Sequence, residues 1–201
     1  MRLRELGEWE LLRRLAVFAP PGQFNDDAAL LSEQSGRQLV VNTDVLVEGV
    51  HFSDATMGPA DLGWRAAAAN FSDLAAMGCS SVVGLTVALV APGDTTWTWV
   101  EGVYQGLSAA LNRYGGVLLG GDCSSGSERL LSITALGQVG PEGGAIRRGD
   151  GRPGDWLVSS GQHGLSRLGL ALLLHQLDPS AAAQLSPDLQ ERSIQAHRRP
   201  Q

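Results

Sequence analysis

The sequence predicts an α/β chain, an α+β sandwich in which helices cover a sheet. Three observations carry that expectation. Apolar, β-branched runs recur at 82–90 and 130–139, helical periodicity separates strand-like runs, and glycine or proline marks the joints. Residues 5–19 form a short helical pattern closed by Pro20-Pro21-Gly22. Residues 38–42 read as a strand, which places Thr43-Asp44 at its end, where side chains of parallel sheets commonly meet ligands. Pro59 suits the first turn of a helix that runs to about Met77 and stops at Gly78, a natural left-handed cap.

Residues 82–90 are a buried strand, and Pro92-Gly93-Asp94 is a turn. Thr95 or Thr96 can cap a helix reaching Tyr114, ended by Gly115-Gly116. Strand 117–119 leads into Gly120-Gly121-Asp122, Ser124-Ser125-Gly126-Ser127 is a loop, and 130–139 is a further strand. Composition shifts at Gly140-Pro141-Glu142-Gly143-Gly144, a linker pattern that divides the chain into domains 1–140 and 141–201. The second part offers one short strand at 156–159, a helix at 165–177 and a polar, alanine-rich tail, which is thin for an independent core.

With 201 residues, 43% hydrophobic and 18% charged, the chain can bury a sizeable core. Its net charge of -6, with no basic run longer than two arginines, argues against nucleic acid as a partner. No apolar run approaches the roughly 20 residues of a membrane span, and no signal peptide is evident. Cys79 and Cys123 do not make a disulfide framework, so a cytoplasmic protein is expected. The chain contains no lysine; all fifteen basic residues are arginine. A Walker-type loop, a kinase strand lysine and a Schiff-base lysine are thereby excluded, and phosphate chemistry must use arginine, backbone amides and metal ions.

Four acidic motifs stand where apolar patterning predicts core, turn or strand end: Asp26-Asp27-Ala28, Thr43-Asp44, Ser72-Asp73 and Gly120-Gly121-Asp122. An unpaired buried carboxylate is costly, and a shared hard cation such as Mg²⁺ with phosphate as a further ligand is one common remedy. Each motif also has a structural reading. Asp73 follows the register of Leu62, Ala66 and Ala69, so it points along the apolar stripe, either pairing within the fold or binding metal. Asp26-Asp27 can be a solvated loop, and Thr43-Asp44 a turn or cap. Gly120-Gly121 can be a tight turn or can let backbone amides approach an anion. Arg147-Arg148 in a glycine-rich loop can hold a phosphate or lie in solvent. His51 reads as structural or functional, and Tyr104 as packing or as a platform for a base. The scarce, scattered His and Cys argue against zinc, and the oxygen-rich inventory favours Mg²⁺.

Read in order, the segments Asn25-Asp26-Asp27-Ala28-Ala29-Leu30-Leu31, Asn42-Thr43-Asp44-Val45-Leu46-Val47-Glu48-Gly49-Val50-His51-Phe52, Asn70-Phe71-Ser72-Asp73-Leu74-Ala75-Ala76-Met77-Gly78 and Leu119-Gly120-Gly121-Asp122 resemble the thiamine-monophosphate kinase family, in the aminoimidazole ribonucleotide synthetase superfamily. The resemblance continues through Arg148 and Arg152-Pro153-Gly154-Asp155 and covers nearly the whole chain. It implies an aminoimidazole ribonucleotide synthetase-like N-terminal domain, followed by the start of a second α/β domain in which the chain stops. It also implies ATP- and Mg²⁺-dependent phosphorylation of thiamine monophosphate to thiamine diphosphate, and a homodimer through the N-terminal sheets. On this resemblance Asp27, Asn42, Thr43, Asp44, Asp73 and Asp122 hold several Mg²⁺ ions. Tyr104, Gly121 and Arg148 contact ATP, and His51 contacts the thiamine substrate. The pattern departs at Asn25 and at Asp150-Gly151, where family members usually carry glycine and Gly-Ala. It departs again at Gly164-Leu165-Ser166, where they carry Gly-Asp-Ser. Two other readings stand beside this one: a truncated nucleotide-binding or dimerisation module, and another ATP-dependent synthetase of the superfamily.

Overall fold

The computed structural model describes residues 2–19, 21, 38–140, 145–147, 151–159, 161 and 163–201. Helix α1 (Leu3–Leu15) is kinked at Gly7 and runs into a 3-10 turn at Ala16–Phe18. Then follow strand β1 (Gln38–Val47), helix α2 (Pro59–Ala76), strand β2 (Cys79–Ala91), helix α3 (Trp97–Tyr114) and strands β3 (Val117–Ser125) and β4 (Leu130–Val139). The strands form one mixed sheet in the order β1-β4-β2-β3. β4 lies antiparallel to both β1 and β2, whereas β3 returns parallel to β2 through α3, because a parallel pair needs a long crossover.

Helices α2 and α3 cover one face of this sheet. Leu62, Ala66 and Leu74 of α2 and Val100, Val103 and Leu107 of α3 are buried with Leu85, Val87, Leu131 and Ile133 of the sheet. The two helices meet almost backbone to backbone. A Cβ on Gly63 would stand 1.9 Å from the Val103 carbonyl oxygen, and one on Gly106 would stand 2.0 Å from that of Ala60. The ends of α2 follow from local chemistry: Pro59 occupies the first turn, and Gly78 stops the chain at φ +77°. Thr96 caps α3 by accepting the Trp99 N–H at 3.2 Å.

Several expectations are corrected here. β1 does not end at Asn42 but continues to Val47, since β4 offers partners from Val139 back to Leu130. Thr43-Asp44 therefore sits mid-strand, beside an antiparallel neighbour. Gly120-Gly121-Asp122 and Ser124-Ser125 are not a turn and loop but the body of β3, paired with β2 as far as Ala91. The paired glycines serve a bulge at which the β2–β3 register shifts; Gly120 has φ +152°, and a Cβ on Gly121 would lie 1.8 Å from the Val87 carbonyl oxygen. Residues 156–159 form no strand. Trp156 and Leu157 are 93% and 102% exposed, because no described segment pairs with them, and a strand exists only through its ladder. The helix expected over 165–177 is α4 (Leu165–Leu173), stopped where His175 adopts φ +51°.

The tail is helical as well: α5 (Pro179–Ala183) and α6 (Pro187–Arg198) are capped by Asp178 and Ser186. α4 and α6 pack closely at Gly169, where a Cβ would meet the Ser193 carbonyl oxygen at 2.0 Å. The C-terminal end of the pair docks on α2 and the loop before it. Trp64 Nε1 donates to the Pro200 carbonyl at 2.8 Å, Arg198 Nε to that of Thr56 at 3.0 Å, and Arg199 Nε to Asp61 Oδ1 at 2.5 Å. Arg65 donates to the His197 carbonyl and approaches His197 Nδ1 at 3.2 Å.

His197 is 3% exposed. Burial, aided by the Arg65 and Arg198 charges, depresses its pKa from 6.5 to about 4, while Ser166 opposes the shift. The folded chain thus keeps this ring neutral where the unfolded chain protonates it, so its contribution to stability is complete above pH 6.5 and is lost as the pH falls towards 4. Denaturant melts of the chain and of His197→Gln across pH 4–7 will show the wild-type advantage shrinking with acidification over that window. A pH-independent difference would contradict it.

Candidate functional site

Along β1 the side chains alternate, and the register divides the predicted ligands between two faces. Asn42, Asp44 and the buried Leu46 point towards the helices; Thr43 and Val45 point to the other side. On the helix side, Asn42 Nδ2 donates to Asn70 Oδ1 at 3.2 Å and to Asp73 Oδ2 at 3.1 Å. Asn70 is fully buried and anchors itself by donating to the Ala66 carbonyl at 2.9 Å. Asn42 Oδ1 is buried and accepts no hydrogen bond among the described residues. A buried amide oxygen without a donor is costly. Beside a carboxylate it suits a hard cation, whose ligands are oxygens. Asp44 stands one strand repeat from Asn42 on the same face, about 6.8 Å along the strand.

Asp73 is not on the buried arc of α2. That arc runs through Leu62, Gly63, Ala66, Ala67, Asn70, Phe71 and Leu74, and Asp73 is exposed at its margin. The buried polar residue of this helix is Asn70, which sequence reasoning passed over. Its signal was present: Asn70 continues the four-residue spacing of Leu62 and Ala66 and follows an alanine run.

The other face holds Thr43 and Asp122. Thr43 and Thr134 hydroxyls meet at 2.7 Å across the β1–β4 pair. Asp122 is in register with Ala88 of β2, and Ala88 with Ser132 of β4, whereas the Asp44 row passes through the buried Ile133 and Val87 to Gly121. β1 and β3 are three strand spacings apart, about 14 Å. Among the described residues, no three His, Cys, Asp or Glu side chains converge as a metal cluster. Asp27 and Arg148 lie outside the described residues.

His51 sits in the exposed turn after β1. Its Nδ1 accepts the Val47 N–H at 3.0 Å, so the neutral ring carries its proton on Nε2. Gly49 allows the turn, at φ +76°. Tyr104 is 3% exposed, with its ring 5.8 Å from that of Phe18. Burial, with the Cys123 charge, pushes its hydroxyl pKa well up. Cys123 also lines a cavity of about 280 Å³ between α1 and the ends of β2 and β3, together with Arg4, Leu11, Leu89 and Ser124.

Comparison with known proteins identifies the family of the chain. The AIR synthase related protein family, in its N-terminal domain, matches residues 25–139. The chain belongs to that family. It is 52% identical to thiamine-monophosphate kinase of Prochlorococcus marinus over 200 residues, 99% of this chain and 59% of the relative. The structure of thiamine-monophosphate kinase from Stenotrophomonas maltophilia superposes with a TM-score of 0.77 at 36% identity, covering 97% of this chain and 61% of that one. AaThiL complexed with AMPPCP and TMP superposes with a TM-score of 0.71 at 30% identity, covering 100% and 61%. The chain therefore spans about three fifths of the length of the relatives it matches. The resemblance read from the acidic motifs and the mixed α/β fold are both borne out.

The Asn42–Asn70 contact yields a direct test. Asn70→Leu removes the acceptor for Asn42 Nδ2 inside the core, and urea denaturation will show a loss of about 1–3 kcal/mol. Asn70→Asp, which keeps an acceptor but buries a charge, is expected to cost more.

Proposed function

We propose that this chain carries the N-terminal part of an active centre that phosphorylates thiamine monophosphate to thiamine diphosphate at the expense of ATP. The observation that carries the reading is the Asn42–Asn70–Asp73 cluster, with a buried Asn42 oxygen that has no partner among the described residues, on the family's motif segments. Mg²⁺, when bound, supplies charge neutralisation between two anionic substrates. Asn42, Asp44 and Asp73 would hold it on the helix side; Asp27, expected in the same ligand set, lies outside the described residues. Thr43 and Asp122 belong to the same expected ligand set but stand on the opposite face.

The residues' own work is binding and orientation. His51 offers an Nε2–H donor to the substrate phosphate. Arg148 and the backbone at Gly121 would serve the ATP phosphates; Tyr104, expected at the adenosine end, is instead buried in the core against Phe18, which fits the packing reading. Phosphoryl transfer between two phosphates needs in-line positioning and charge stabilisation more than covalent help, and the acceptor oxygen needs no general base. Among the described residues no helix is long and apolar enough to cross a membrane.

The uncovered sheet face supports a homodimer. Leu39, Val41 and Val45 of β1 and Val117 of β3 are 40–56% exposed on strands whose opposite side forms the core. Such a patch marks an association surface. Val41→Glu is therefore expected to shift the chain to a monomer in sedimentation velocity; a monomeric wild type would sink the dimer reading.

The catalytic reading is tested with the purified chain, ATP, Mg²⁺ and thiamine monophosphate. Mg-ATP binding is expected to be measurable by calorimetry and turnover slow, with EDTA abolishing both. Asp44→Asn and Asp73→Asn should each weaken Mg-ATP binding by about tenfold or more, corresponding to about 1.4 kcal/mol. Binding unchanged in both variants would remove these carboxylates from the site.

A further inference from the structure

The turn that presents His51 is held by a residue distant in sequence. Arg129 lies just before β4, its side chain 13% exposed. Its Nε donates to Glu48 Oε2 at 2.8 Å, and its terminal nitrogen pairs with both Glu48 Oε1 and Asp54 Oδ2, the latter at 2.9 Å. Its backbone N–H adds a contact to Glu48 Oε2 at 3.3 Å, and the Glu48 N–H returns one to the Arg129 carbonyl at 3.0 Å. Glu48 and Asp54 flank His51 three residues before and three after, so one guanidinium grips both shoulders of the turn.

The grip has a floor. The Arg129 guanidinium lies 4.8 Å from the Trp99 ring centroid, and Trp99 stacks on Phe52, the residue after His51, at 6.4 Å and 28°. Only a planar fork with several donors can bind two carboxylates and lie on an indole together. The mutual pairing holds the Glu48 carboxyl below, and the Arg129 guanidinium above, their ordinary ranges. Within the turn, the His51 N–H bonds the Val47 carbonyl at 2.8 Å and the Gly49 N–H that of Phe52 at 2.9 Å, which fixes the backbone that aims the ring.

We propose that Arg129 is a positioning residue for His51: by clamping Glu48 and Asp54 over Trp99 it fixes the turn in the form that locks the Nδ1 acceptor bond and directs Nε2–H outward to the substrate phosphate. The substrate part rests on the reading of His51 given above; the clamp itself does not. Two measurements separate them. Nitrogen-15 spectra of the folded chain report the His51 tautomer, and calorimetry reports binding of thiamine monophosphate.

Wild type is expected to show a single Nε2–H tautomer. Arg129→Gln and Arg129→Lys should show averaged tautomers and bind thiamine monophosphate about 10- to 100-fold more weakly, the scale of a small misplacement of a binding group. Affinity for Mg-ATP should stay unchanged. Asp54→Asn, an exposed change that leaves the core intact, should move both signals the same way by less, and it decides the matter if Arg129→Gln fails to fold. A wild-type His51 spectrum in folded Arg129→Gln, or in Asp54→Asn should the Arg129 variants not fold, overturns the clamp. If the wild-type chain binds no thiamine monophosphate, the substrate reading of His51 falls, and the tautomer signal alone decides the role of Arg129.

Discussion

The near-contact of α2 and α3 through Gly63 and Gly106 is the constraint on which the rest of the structure depends. Any side chain at either position would strike the opposite backbone. With hydrogen there, the helix pair is thin enough for both members to lie on one four-stranded sheet. α2 then reaches β1, β4 and β2 while α3 reaches β2 and β3. Close packing of this kind converts a helix rotation of one residue into a different buried arc. Seated on the sheet in this way, α2 turns Asn70 into the core and leaves Asp73 at its margin, and Asn42 donates to both.

That placement shapes the electrostatics of the site. A fully buried asparagine whose Nδ2 donates to the Ala66 carbonyl presents its oxygen the other way, and the Asn42 Nδ2 donates to it. The Asn42 amide is thereby oriented: its nitrogen serves Asn70 and Asp73, and its oxygen is turned away from both. An amide flip would set oxygen against oxygen at Asn70 and against the Asp73 carboxylate. The polar cluster is therefore ordered from the core outward. In a chain with no lysine, the counter-charge for these acids cannot come from a flexible ammonium. Arginines in the described structure are largely committed elsewhere: Arg129 to Glu48 and Asp54, Arg199 to Asp61, Arg13 to Glu10.

How much of this the sequence disclosed depends on the kind of signal. The limits of α2 and α3 were legible because proline, threonine and glycine act locally at helix ends. β2 and β4 were legible from apolar runs too long for a turn. β1 was legible only as far as its apolar half, since Asn42-Thr43-Asp44 breaks the alternation and only pairing with β4 reveals the remainder. The facing of Asp73 was misread because Ala66 to Ala69 are all alanine and carry no periodic information; the neighbouring sheet, not α2 itself, chooses the buried arc. The bulge at Gly120-Gly121 imitates a turn in sequence because glycine permits both. Trp156-Leu157-Val158 reads as strand by propensity, but propensity without a ladder partner makes no strand.

The Arg129 clamp was illegible for a further reason: its parts come from three places, the turn after β1, the start of α3 and the residue before β4. No local pattern links positions 48, 99 and 129. The same turn region meets α6 through Arg198 and the Thr56 carbonyl, so it is braced from the sheet, from α3 and from the C-terminal helices. A histidine meant only to fill space would not need three supports, because packing alone fixes a buried ring. An exposed one has no such packing, and its direction must come from the backbone that carries it. Bracing an exposed side chain from three elements costs conformational freedom that folding alone does not require. The arrangement therefore fits a donor whose direction matters to something outside the chain.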